Sequence, residues 1–128
     1  GKLIHTGDYN TAIGSDSLIA LTSGSQNTAI GYKSGSTNVD GSGNIFIGYE
    51  AGPTSGSVSN KLFISNGADD TPLIYGNFSN NTVTVNDNLA ITGTFSSSNY
   101  TFDANGNVSG LGIWCSIQMS YESTQKPL

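Results

Sequence analysis

Arginine is absent from this sequence, and histidine, cysteine, tryptophan and methionine occur once each. With four Lys and no Arg the formal net charge is −5. Such a chain lacks the clustered cations that neutralise phosphates, so a nucleic-acid partner is excluded. Polybasic docking on an anionic membrane is excluded for the same reason. Apolar runs are only a few residues long, too short for a transmembrane helix or the core of a signal peptide, so no membrane insertion by this chain is expected. Any export signal would have to lie outside these 128 residues. The single Cys115 rules out an intrachain disulfide and reads as a small buried hydrophobe. A nucleophilic thiol needs a basic neighbour, and His5 is remote in sequence and reads as a solvated terminal residue.

The motifs of catalysis are missing too. There is no Gly-x-Ser-x-Gly elbow, no His-Glu-x-x-His and no phosphate loop closed by Lys. One His and no Arg leave few tools for acid–base or phosphoryl chemistry. Paired carboxylates can hydrolyse glycans, and Asp69, Asp70 and Asp103 are the candidates. Adjacent Asp residues in a turn are more simply solvated loop residues. Asp103-x-Asn105-x-Asn107 copies the opening of a calcium loop. Its glycine, Gly106, falls two places early, and Trp114 stands where the twelfth-position Glu belongs. Asn105-Gly106 therefore reads as a turn. No catalytic, cofactor-binding or metal-ligating residue is assigned, no cofactor is expected, and the chain reads as no enzyme.

What the sequence does have is glycine, 17 residues of it, among Ser, Thr and Asn. Charged residues make up only 10%, against roughly 25% in ordinary soluble domains. Disordered chains are usually highly charged and poor in β-branched and aromatic residues. Here Ile, Val, Tyr and Phe fall in short, evenly placed clusters. β-formers between glycine turns indicate an all-β chain with many turns.

The clusters repeat. Asn10-Thr11-Ala12-Ile13-Gly14 returns as Asn27-Thr28-Ala29-Ile30-Gly31 and as Asn44-Ile45-Phe46-Ile47-Gly48, each 17 residues after the last. Gly7, Gly24 and Gly41 keep the same step, as do Gly35 and Gly52. Leu62-Phe63-Ile64 continues the phase as a degenerate fourth copy. Several columns held in phase mark a stacked-repeat architecture. A unit of this length has room for two short strands and two turns. Stacking copies about 4.8 Å apart would pair each strand with its equivalent in the next copy. Alternation then sends Ala12, Ala29 and Phe46 to one face and Ile13, Ile30 and Ile47 to the other. One column would fill the interior and the other would pack outside. Asn10, Asn27 and Asn44 would stack as an amide ladder.

Four such copies make a rod of roughly 15–20 Å with a narrow core. Repeat arrays need several units and protected ends. A core this thin argues for association, and closed cyclic symmetry is the usual form. The outer apolar column would face another subunit.

The segments Asn27-Thr28-Ala29-Ile30-Gly31-Tyr32-Lys33-Ser34-Gly35 and Asn44-Ile45-Phe46-Ile47-Gly48-Tyr49-Glu50-Ala51-Gly52 resemble the YadA-like head repeats of trimeric autotransporter adhesins. The period of 17 is longer than is typical of those heads. Residues 60–67 and 71–78, and Phe102 to Gly110, resemble blocks common in phage tail fibres and related surface fibres. The resemblance implies a stacked 17-residue-repeat β-roll (solenoid) followed by additional short strands, intertwined in a homotrimer. It implies an extracellular attachment fibre whose partner is a cell-surface glycan or protein receptor. A bacterial surface adhesin head and a self-polymerising extracellular filament are the alternatives.

Three regions are expected: a repeat roll over 1–59, a β-rich fibre segment over 60–95 and a C-terminal β segment over 96–128. Gly52-Pro53 and residues 55–59 read as a flexible turn. Strands are expected at 62–65, 73–77, 82–86 and 89–95, with a strand-turn-strand around Asn105-Gly106 and a further strand over 113–121. Tyr32, Tyr49, Tyr75 and Trp114 are the aromatics of interest. Tyr32 and Tyr49 share a phase, so they would stack as a stabilising ladder or form part of a binding face. No binding residue is assigned on that basis.

Overall fold

A computed structural model describes residues 6–68 and 70–93, together with the backbone of two short strands at 101–102 and 108–109. The chain divides into two compact units, residues 1–89 and 90–128. The described residues are all β, with no helix. Unit one holds a six-stranded sheet in sequence order: β1 (Thr11–Ile13), β2 (Thr28–Ile30), β3 (Ile45–Ile47), β4 (Lys61–Ile64), β5 (Ile74–Asn77) and β6 (Thr82–Val85). In unit two, β7 (Thr101–Phe102) pairs antiparallel with β8 (Val108–Ser109), on either side of Asn105-Gly106.

The first four strands run parallel, and their register is the sequence repeat itself. Ala12 pairs with Ala29, Ala29 with Phe46, and Phe46 with Phe63. Each copy contains one strand of three or four residues, not the two that its length allows. The backbone explains the shortness. Gln26, ahead of β2, has φ +60°, and Gly31, after it, has φ +130°. Tyr9, Gly43 and Asn60 repeat the first of these features, and Gly14 and Gly48 the second. A strand cannot extend through a left-handed residue. Crossovers between parallel strands usually contain a helix. Here they are turns, and they bond to the next copy instead. The Leu18 N–H donates to Ser34 O and the Gly35 N–H to Ala51 O; the Lys33 N–H donates back to Ser15 O.

The glycine column at 14, 31 and 48 follows from close approach. A Cβ on Gly48 would lie 1.8 Å from the carbonyl oxygen of Ser65, and one on Gly31 would lie 2.3 Å from that of Gly48. No side chain fits where the next copy's carbonyl already stands.

The interior is narrow. Ala29, Phe46 and Phe63 point inward with Leu18, Leu21 and Ala51. Volume is traded between columns. Position 18 holds Leu where the strand residues nearby are Ala; the equivalent positions are Gly35 and Gly52. A Cβ on Gly35 would stand 2.6 Å from Phe46 Cδ2 and 2.7 Å from Leu18 Cδ2, so both side chains lie over it. Phe46 and Phe63 tilt against each other at 5.7 Å, and Tyr75 meets Phe63 edge-on at 5.4 Å.

Beside the core runs the amide ladder. The Asn27 side chain is fully buried. Its Nδ2 donates to Asn10 Oδ1 (3.1 Å) and Gly41 O (2.9 Å). Its Oδ1 accepts from the Asn44 backbone N–H (3.0 Å) and Asn44 Nδ2 (2.9 Å). Asn44 repeats the pattern, donating to Val58 O and accepting from the Lys61 N–H. A serine ladder runs parallel to it: the backbone N–H groups of Asp8, Ser25 and Ser42 donate to the hydroxyls of Ser25, Ser42 and Ser59. Among the described residues no buried side-chain nitrogen or oxygen lacks a partner, as a buried polar interior requires.

β4 ends the parallel series. β5 and β6 return antiparallel, with Phe63 opposite Tyr75 and Tyr75 opposite Thr84. The strand expected from residue 89 does not form over its described part, 89–93. The turn expected to be flexible at 52–59 is tied down: Gly52 and Pro53 are buried, and the Ser57 hydroxyl accepts from the Val39 and Asp40 N–H groups.

Candidate interaction surface

The alternation that buries Ala29 and Phe46 turns Ile13, Ile30 and Ile47 outward. Their exposures are 58%, 40% and 36%. Strand pairing fixes them in one straight column, with Ile64 continuing it half-buried. Ordinary surfaces carry apolar residues singly; a register-locked line of them is a candidate contact surface.

Two residues beyond Ile30 and Ile47 stand Tyr32 and Tyr49. Their rings stack at 5.4 Å and 21°, both largely exposed. Lys33 and Glu50, next in sequence and again in phase, approach to 3.9 Å. The Lys33 ammonium lies 5.2 Å from the centre of the Tyr32 ring. Its pKa is raised above 10.5, first by the hydrogen bond and charge of Tyr32 and then by Glu50 and Asp16, with desolvation opposing. The pair is solvated, so it orients the ridge more than it stabilises it.

Below this pair is a cleft of about 200 Å³. Copy two supplies Lys33, Ser36 and Thr37, copy three supplies residues 50–54, and Ala68 completes the lining. The Thr37 hydroxyl donates to Pro53 O. Asp70 fixes the rim by accepting from both the N–H and the hydroxyl of Thr54, each at 3.0 Å.

The residues singled out from sequence are thereby separated. Tyr32 and Tyr49 do stack. Tyr75 belongs to the edge of the core, packed on Phe63. Asp70 braces a loop. His5, Asp69, Asp103, Asn105, Gly106, Asn107, Trp114 and Cys115 lie outside the described residues, as does the strand expected at 113–121. Among the described residues no three His, Cys, Asp or Glu side chains converge as metal ligands would. The cleft was not anticipated from sequence. Its signal was present in the opposite charges of Lys33 and Glu50, 17 residues apart in one column. No family model, characterised protein or solved structure matches this chain.

Proposed function

We propose that this chain is a non-enzymatic, extracellular attachment-fibre subunit that works as a homotrimer. Its first region is a stacked-repeat β-roll, a short solenoid, and the strands after it continue the fibre. The observation that carries the reading is the uncovered line of Ile13, Ile30 and Ile47 on a stack with a narrow core. Covering that line removes apolar surface from water at about 25 cal/mol per Å². A chain of net charge −5 repels its own copies, so an uncharged seam is the place where they can meet. The sequence likeness to adhesin heads and tail fibres supports the same assembly and supplies the attachment role. Its receptor is a cell-surface glycan or protein. A bacterial adhesin head of the same build is the closest variant of this reading.

A self-polymerising filament is the second reading, and one observation favours it. β4, β5 and β6 alternate in direction, so β6 runs the same way as β1. Both are edge strands of the sheet, and both are largely exposed. The β6 edge of one copy could therefore meet the β1 edge of the next in parallel, head to tail.

The native mass of the particle, with negative-stain images of the same sample, tests the proposal. A discrete species of three chains is expected. It should dissociate when Ile30→Ser and Ile47→Ser are combined. Long filaments would establish the second reading, and a stable monomer would overturn both.

A further inference from the structure

The cleft beneath Lys33 and Glu50 has the chemistry of a receptor site. We infer that it is a subsite for one neutral sugar ring, held between the Lys33–Glu50 pair and the exposed Ala68. Its biological use rests on the attachment reading; its chemistry does not.

Size gives the first argument. The volume of about 200 Å³ is below the roughly 300–1,000 Å³ of sites for drug-sized ligands, so a single ring is the natural occupant. Polarity gives the second. Neighbouring hydroxyls of a pyranose each offer one donor and two acceptor lone pairs. A carboxylate that only accepts and an ammonium that only donates, 3.9 Å apart, complement such a pair of hydroxyls. At that distance the two side chains are in weak contact and can open around a ligand. Ser36 adds a hydroxyl to the lining, and the Thr37 hydroxyl, which donates to Pro53 O, keeps acceptor capacity. Ala68 is exposed and offers an apolar contact to the C–H face of the ring.

Charge gives the third argument. The charged residues of the lining are one cation, Lys33, and one carboxylate, Glu50, so the cleft has no net positive charge. An anionic sugar would gain no net attraction there and would meet Glu50 directly. The occupant is therefore neutral. The site is also preorganised. Lys33 and Glu50 both sit at φ +52° in turns bonded between copies, with the Glu50 N–H donating to Tyr32 O at 2.7 Å, so the pair is carried on fixed backbone.

Saturation-transfer NMR on the intact chain tests this with the methyl glycosides of glucose, galactose, mannose and N-acetylglucosamine. N-acetylneuraminic acid serves as the anionic comparator. At least one neutral glycoside is expected to bind with a Kd on the order of 1 mM, the weak regime of a single contact site. Hydrogen bonds to charged groups are worth about 1.5–3 kcal/mol, so Glu50→Gln should weaken binding by roughly 10-fold to 100-fold. Lys33→Met should do the same, and Asp40→Asn, outside the cleft lining, should leave it unchanged. The inference is overturned if none of the neutral glycosides binds, if the acidic sugar binds best, or if neither variant weakens binding. Sugar binding by a one-chain particle would keep the cleft and sink the fibre. A three-chain particle that binds no sugar would do the reverse.

Discussion

Asn27 is the residue on which the stack should depend most for its polar interior. Its amide makes four hydrogen bonds between 2.9 and 3.1 Å, which uses both donors and both acceptor sites. Asn27→Ala removes all four, but its neighbours are not equally harmed. Asn10 Oδ1 keeps the Asn27 backbone N–H, and Gly41 O keeps Asn38 Nδ2. Asn44 Nδ2 keeps Val58 O. The Asn44 backbone N–H, on a fully buried residue, keeps nothing among the described groups. Net hydrogen-bond contributions of about 0.5–1.5 kcal/mol apply to the shared partners, and an orphaned buried donor costs about 1–3 kcal/mol. The expected loss is about 3–5 kcal/mol. Urea unfolding read by linear extrapolation, at one fixed protein concentration, measures it. Asn27→Asp separates the hydrogen bonds from the packing. Its carboxylate keeps the two acceptor roles but aims negative charge at Asn10 Oδ1 and Gly41 O. Burial beside those oxygens raises the pKa of the new carboxyl above its unfolded value of about 3.9. Stability relative to the native protein should therefore recover as pH falls through the folded pKa, where an O–H donor returns. A loss under about 1 kcal/mol for Asn27→Ala, or an Asn27→Asp deficit that is flat from pH 7 to pH 4, would refute this account.

Phe46→Ala should cost about 3–5 kcal/mol, because the ring is wholly buried between Leu18, Gly35 and Phe63; urea titration reads it. Gly35→Ala combines a left-handed backbone at φ +62° with overlap against Phe46 and Leu18, so about 2–4 kcal/mol should be lost in the same assay. The Lys33 ammonium should titrate with a midpoint above 10.5 by NMR, and Tyr32→Phe should lower it, since Tyr32 is the main cause of the shift.

The period of 17 was legible because every copy must place like residues on like positions. Asn27 bonds Asn10, and Phe46 lies over Ala29, so register and repeat are one constraint. Strand alternation likewise separated the Ala and Phe column from the Ile column, and the fold shows that the first faces inward. The number of strands per copy was not legible. Composition permits a second strand, but residues such as Lys33 and Glu50 adopt positive φ only because turn bonds to the neighbouring copies hold them there. The role of Tyr75 was also hidden. It depends on the reversal after β4 that brings it across from Phe63.

The sequence by itself determined the β class, the repeat and the membership of the two columns, though not which of them faces inward, because local alternation and glycine geometry act within a few residues. Only the tertiary structure decided the rest: the trade of Leu18 against Gly35 and Gly52, the antiparallel extension of the sheet by β5 and β6, and the cleft lined by Lys33 and Glu50. Each of these arises between copies or between strands of opposite direction. The physical reason is that close approach is a property of pairs of segments, and a linear pattern carries only one of the two.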